Sequence, residues 1–131
     1  MNILVLSTAD WEHPIWTNKQ HVAIALADLG HRVIYLDSLG IRKVTTSAKD
    51  KQRVLRRIRN IIRSPRKIRQ RLWSVSPLVI PGIQKGLLKS LNRRLINLTI
   101  YFTCLKLGFK CDTLWTYNPA TTIYLNPESF K

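Results

Sequence analysis

Apolar positions follow two different periods along this chain. Asn2-Ile3-Leu4-Val5-Leu6-Ser7 and Val33-Ile34-Tyr35-Leu36 are short continuous runs with β-branched members. That is the pattern of strands buried on both faces. Between them, Thr17-Asn18-Lys19-Gln20 opens a helix, with Thr17 and Gln20 at the spacing of a reciprocal capping box. Val22, Ala25, Leu26 and Leu29 are expected on its inner face, and Gly30 is its left-handed stop. Strand, helix and strand together predict a right-handed parallel crossover.

The pattern continues through the chain. Residues 39–46 read as a loop, and Ser47 as the cap of a second helix. In that helix Val54, Leu55, Ile58, Ile61 and Ile62 form a stripe expected to pack on the sheet. Ser64-Pro65 ends it, and a basic run continues to Arg71. Leu72–Ser76 is a third strand, followed by an apolar loop bracketed by Pro77 and Pro81. A long helix from about Lys85 to Leu107 carries Leu88, Leu91, Leu95, Leu98, Phe102 and Leu105 at spacings of three and four, before Gly108. Thr113–Thr116 is a fourth strand, and a last short helix is expected near Ala120–Leu125. The predicted class is α/β: a Rossmann-like doubly wound parallel sheet of about four strands in the order 3-2-1-4, with helices on both faces.

That order sets the exits of strands 1 and 4 side by side, where open α/β sheets bind ligands. Both exits are polar-aromatic: Thr8–Trp16 and Tyr117-Asn118-Pro119. Ser7 to Thr17 holds no glycine, which argues against a dinucleotide site or a phosphate-cradling loop. Asp37 then reads as a turn residue with Ser38 rather than a ribose ligand. Indoles can cover the apolar face of a sugar, and carboxylates can accept from its hydroxyls. Trp11, Trp16, Tyr117 and Asn118 are therefore substrate-binding candidates, and Asp10, Glu12 and His13 are candidates to contact or deprotonate an acceptor hydroxyl. The bland alternative is a Trp that plugs the core and acids that are solvated. The first helical turn, Asn18-Lys19-Gln20, lacks an acid and offers open donors with a lysine, a setting for an anion.

Charge changes the picture next. The chain has 131 residues and a net charge of +15. Residues 42–94 hold 17 Lys/Arg against one acid, Asp50, whereas the remaining residues hold five Lys/Arg against six acids. The excess therefore sits in one segment, where Arg53, Arg56, Arg57, Arg59 and Arg63 flank the isoleucine stripe and are candidates to attract anions. No run reaches membrane-spanning length; the nearest, Leu95–Leu105, is interrupted by Asn97, Thr99 and Thr103. The N-terminus has no basic region ahead of its apolar run, so a secretory signal is not expected. Cys104 and Cys111, without ligand spacing or evident partners, read as reduced cytosolic thiols, and no metal site is expected.

The segments Leu4–Thr8, Trp16-Thr17-Asn18-Lys19-Gln20-His21, Ala25–Tyr35, Ser76-Pro77-Leu78 and Leu114-Trp115-Thr116-Tyr117-Asn118-Pro119 resemble the N-terminal half of a bacterial GT-B glycosyltransferase of the family 4 type. The resemblance covers nearly the whole chain. It implies an acceptor-side Rossmann-like domain over residues 1–131, itself incomplete and lacking the C-terminal donor-binding half. It further implies metal-free transfer of a hexosyl group from a nucleotide-sugar to a lipid-linked glycan during cell-envelope polysaccharide synthesis. On that reading the fragment binds no cofactor and is inactive alone. The glycine-rich first loop common in the family is absent, and Lys19 or the helix start would replace its phosphate contact. The implied location is cytoplasmic and peripheral, at the anionic inner face of the plasma membrane, with the basic helix against lipid. Two competing readings come from other classes. One is a basic nucleic-acid-binding module, disfavoured because the basic run has no reading motif. The other is a non-catalytic membrane-docking subunit.

Overall fold

The computed structural model describes residues 1–39, 48–80, 85–126 and 128. The expected loop over residues 40–46, the Ser47 cap, Pro81 and the chain end lie outside the described residues. Among the described residues five strands form one sheet: β1 Asn2–Leu6, β2 Arg32–Leu36, β3 Arg66–Arg69, β4 Leu72–Val75 and β5 Thr113–Thr116. Among the same residues three helices accompany them: α1 Asn18–Asp28, α2 Ala48–Arg63 and α3 Gly86–Leu107. A short 3₁₀ helix, Pro119–Tyr124, replaces the expected last α-helix.

The sheet order is β3-β4-β2-β1-β5. It differs from the expected order because the sheet has a fifth strand. β4, β2, β1 and β5 are parallel neighbours, and β3 pairs antiparallel with β4 at the edge. In sequence the basic stretch Arg66–Arg69 reads as a continuation of the arginine run. It is instead one arm of a hairpin whose two-residue turn places Arg71 at φ 68°. Its charged side chains suit an edge strand, because they discourage further pairing at an open ladder.

β1 divides two cores. Leu4 and Leu6 face Ile96 and Ile100 of α3, with Phe109, Cys111, Tyr124 and Leu125. Ile3 and Val5 face Ala23 and Ala27 of α1, with Trp11, Val33, Tyr35 and Leu72. Helices thus cover both faces of a mostly parallel sheet, and the period-2 alternation of β1 assigns its side chains to them.

Two helices sit differently from their leucine patterns. On α1 the buried positions are Gln20, Ala23 and Ala27, while Ala25 is exposed and Leu29 is 75% exposed. Small alanines let the helix approach the sheet closely, and Gln20 brings its own face inward. On α3 the buried row is Asn92, Ile96, Ile100 and Thr103, while Leu91, Leu98, Phe102 and Leu105 are exposed. Asn92 decides the rotation. Its amide accepts from Ile80 N–H and donates to Ile80 C=O, both at 2.8 Å, so the loop after β4 is tied to that face. Such a bond has no apolar signature in sequence. The Gly108 stop is left-handed, φ 57°, as the sequence suggests.

Gln20 links α1 to the β1 exit loop. Its Oε1 accepts from Thr17 N–H at 3.1 Å and from Thr17 Oγ1 at 3.2 Å, and its Nε2 donates to Asp10 C=O at 3.1 Å. Gln20→Ala is expected to destabilise the fold by about 2 kcal/mol, the sum of a lost cap and a buried orphaned carbonyl. Urea unfolding followed by far-UV circular dichroism measures it. An unchanged midpoint would show that the loop is held without this side chain.

Candidate functional site

The exits of β1, β2, β4 and β5 all lie along the carboxyl edge of the sheet. Tyr35 anchors the β1 exit from below. Its hydroxyl donates to Ala9 C=O at 2.7 Å and lies 2.6 Å from Ser7 Oγ. Burial raises the Tyr35 phenol well above its ordinary range, so it stays protonated as a donor.

Asp37, at the end of β2, is the centre of this edge. It is buried rather than part of an exposed turn. One carboxylate oxygen accepts from Trp11 N–H at 2.8 Å and the other from Ser76 Oγ at 2.8 Å. The residue therefore ties the β1 exit to the β4 exit. Burial pushes its pKa from 3.8 up to about 6, against the opposing pull of those two hydrogen bonds. Ser76 N–H in turn donates to Ser64 Oγ at 2.9 Å, which brings in the end of α2.

The aromatic candidates gather beside this clamp. Trp11 is buried, with its ring 5.1 Å from Tyr35 and 5.2 Å from Trp16, centroid to centroid, both edge-on. Trp16 is 43% exposed and also meets His21 edge-on at 5.5 Å. Tyr117 packs against the same core as Trp11, and Lys19 Nζ lies 5.6 Å over its ring. Trp11, Trp16, Lys19 and Tyr117 therefore share one neighbourhood at the β1 and β5 exits. Tyr117 Oη is a buried side-chain polar atom that lacks a hydrogen bond among the described residues. Asn118 instead caps the 3₁₀ helix, accepting from Ala120 N–H at 3.1 Å. Asn18 is exposed in the first turn of α1.

The acidic candidates have partners that the sequence does not reveal. Asp10 lies 3.4 Å from Arg57 and accepts from Ser38 Oγ at 3.1 Å, while Arg57 also donates to Ser38 C=O at 2.8 Å. Glu12 is paired with Arg66, whose hydrogen bond holds its carboxyl below the usual range, with Asn60 and Arg59 adding to the effect. A carboxylate so stabilised is a weak base. His13 remains exposed in a tight turn, its Nδ1 2.9 Å from Ile15 C=O. Sequence reasoning missed Asp37, Ser76 and Arg66 as site-forming residues. An Asp that directly ends a buried strand was the available signal for the first.

These pairings decide the placement of α2. The expectation that its stripe packs on the sheet is overturned. Leu55, Ile58 and Ile62 are 67%, 48% and 78% exposed, and Val54 and Ile61 are half-buried. Among the described residues, neither core includes a residue of α2. Polar contacts hold it instead: Arg57 to Asp10 and Ser38, Asn60 to Glu12, and Ser64 to Ser76. Arg53, Arg56, Arg59 and Arg63 lie exposed along the same helix. Among the described residues no helix is long and apolar enough to cross a membrane, and no cluster of three metal-ligating side chains occurs.

The raised Asp37 pKa fixes the sign of a pH effect. A carboxyl whose folded pKa exceeds its unfolded value of 3.8 favours folding in its neutral form. Below the unfolded pKa both states are protonated and folding bears no penalty. As pH rises from the unfolded value toward the folded one, about 6, folding must take up a proton, and above it folding must bury a charged carboxylate, so stability falls. Asp37→Asn keeps an acceptor for Trp11 N–H and removes this titration. The variant is expected to match the native chain near pH 4 and to exceed it by about 2 kcal/mol at about pH 8. Thermal unfolding at the two pH values tests this, and a variant less stable at both would contradict it.

Compared with known proteins, the chain matches no protein-family model, no curated protein and no solved structure.

Proposed function

We propose that this chain is the acceptor-side, Rossmann-like domain of a GT-B-type glycosyltransferase that works on a lipid-linked glycan at an anionic membrane surface. The observation that carries the proposal is a juxtaposition. An amphipathic helix with an outward apolar stripe and exposed arginines, α2, is tied by Arg57–Asp10 to the loop bearing Trp11 and Trp16. Lying on a bilayer, α2 would bury Leu55, Ile58 and Ile62 at the headgroup boundary and set its arginines among anionic headgroups. The aromatic neighbourhood at the β1 and β5 exits would then stand beside the surface where lipid-linked acceptors emerge.

The remaining assignments follow from that placement. Trp16 offers an exposed indole to the sugar ring, with the Tyr117 ring in the same neighbourhood under Lys19. Lys19, over Tyr117 at the start of α1, faces the acceptor's diphosphate or the donor's phosphate. Of the three acidic-loop candidates, His13 is best suited to accept the hydroxyl proton, because Asp10 and Glu12 are engaged by arginines. The nucleotide-sugar would be held by a C-terminal half.

A nucleic-acid module would use the arginines alone and has no use for an exposed isoleucine stripe. The two readings separate in flotation and gel-shift assays. Arg56, Arg59 and Arg63→Gln together are expected to weaken binding to phosphatidylglycerol vesicles on the order of a hundredfold, at roughly 1 kcal/mol per arginine. Leu55, Ile58 and Ile62→Asn should weaken binding to the same vesicles while leaving its electrostatic, salt-sensitive part intact. Duplex DNA binding that resists high salt, or vesicle binding unaffected by both triple variants, would overturn the proposal.

The sugar assignment has its own test. Doping neutral vesicles with a polyprenyl-diphosphate-linked hexose should strengthen binding of the native chain at least about threefold and should quench tryptophan fluorescence. Trp16→Ala should abolish that increment while retaining binding to anionic vesicles. No difference between doped and undoped vesicles would remove the carbohydrate reading while leaving the membrane one standing.

A further inference from the structure

We propose that Cys104 and Cys111 form a redox-active dithiol, a site that exchanges with small-molecule disulfides to close a reversible cross-link between α3 and β5. The two sulfurs lie 3.6 Å apart, so each cysteine has the partner that their sequence spacing did not suggest. Both are free thiols. The pair lies at the amino edge of the sheet, beyond the start of β5. The aromatic neighbourhood described above lies at the opposite edge, so this inference stands independently of the proposed function.

Two features make the pair a site rather than a chance contact. The first is pre-organisation of both sulfur-bearing segments. The left-handed Gly108 ends α3, and Phe109 N–H returns to Cys104 C=O at 2.8 Å. Arg32 donates to Leu107 C=O at 2.8 Å and to Gly108 C=O at 3.0 Å, and its guanidinium lies over the Phe109 ring. On the other side of Cys111, Asn2 holds the chain. Its side chain donates to Lys110 C=O at 2.8 Å, and its N–H donates to the Asp112 carboxylate at 3.0 Å. Little chain rearrangement is needed to bring the sulfurs together. The second feature is access. An apolar groove of about 500 Å³ opens on the pair, lined also by Ile100, Tyr101, Leu105, Phe109 and Lys110.

The two cysteines have different roles. Cys104 is half-exposed, and the hydrogen bond from Cys111 lowers its pKa, so it is the nucleophile. Cys111 is buried at 5% exposure and is raised by the same hydrogen bond and by burial, so it keeps its proton until it is needed. In the first step the Cys104 thiolate attacks one sulfur of the small disulfide, and the other half leaves as a thiolate. In the second, Cys111 loses its proton to solvent and attacks the Cys104 sulfur, expelling the second half as a thiolate. The protein is oxidised by two electrons, and the small disulfide is reduced to two thiols. The product pins the last turn of α3 to the lead-in of β5 and covers the floor of the groove.

The test is incubation of the whole chain with glutathione disulfide, followed by intact-mass spectrometry and thiol counting before and after dithiothreitol. Both thiols should disappear together, the chain should stay monomeric, its mass should fall by two hydrogens, and no glutathione should remain attached. Dithiothreitol should restore both thiols. Cys111→Ala should trap a glutathione on Cys104, whereas Cys104→Ala should leave Cys111 unmodified. Should either variant fold poorly, the mass and thiol count of the native chain are decisive by themselves. Retained glutathione on the native chain, disulfide-linked dimers, or no reaction under conditions that oxidise an unstructured dithiol peptide would overturn the assignment.

Discussion

A buried carboxylate organises the carboxyl edge of this sheet. Asp37 ends β2 and has one oxygen on the backbone of the β1 exit loop and the other on the hydroxyl of Ser76 after β4. Parallel strands leave their carboxyl ends pointing the same way, with loops that must each find partners for their backbone donors. Here one side chain supplies acceptors to two of those loops, and its desolvation cost is the reason its pKa rises. Trp11 is fixed through its own N–H, so its ring stands between Tyr35 and Trp16. The shape of the aromatic neighbourhood thus depends on a polar bond at its base.

The strand and helix frame was legible because it rests on local signals. Thr17 and Gln20 form the capping box that their spacing suggests, β1 and β2 coincide closely with continuous apolar runs, and β5 spans the expected Thr113–Thr116. What sequence does not specify is which side of a helix with apolar residues on more than one face turns inward. On α3, leucines at three-four spacing lie outside because a single amide, Asn92, is bonded to the Ile80 backbone. A buried asparagine and a solvated one have the same letter. β3 was hidden for a related reason. Arg66-Lys67-Ile68-Arg69 has no strand composition, and it pairs only because a two-residue turn returns it to β4.

The aromatic side of the candidate site was partly legible, and the partners of its acids were not. Trp11, Trp16, Lys19 and Tyr117 come together, since the reversal of strand order at β1 brings both exits to one place. Asp10 and Glu12 look in sequence like groups reserved for a ligand. They are engaged instead by Arg57 and Arg66, which are 47 and 54 residues away. Long-range ion pairs leave no periodic trace, and a chain with a large arginine excess has many ways to make them.

Those ion pairs also explain an apparent violation of burial. A stripe of isoleucine and leucine on a helix ordinarily belongs in a core. α2 cannot turn its stripe toward the sheet while Arg57 reaches Ser38 and Asp10 and Asn60 reaches Glu12. Those residues define the inward face, and the apolar face points elsewhere by helical geometry. An exposed apolar stripe costs solubility, and on the proposed reading its partner accepts both hydrocarbon and arginine. A duplex accepts only the second, and a protein core accepts only the first. An anionic bilayer surface accepts both, which is why the proposed membrane role rests on the placement of α2 more than on the charge total.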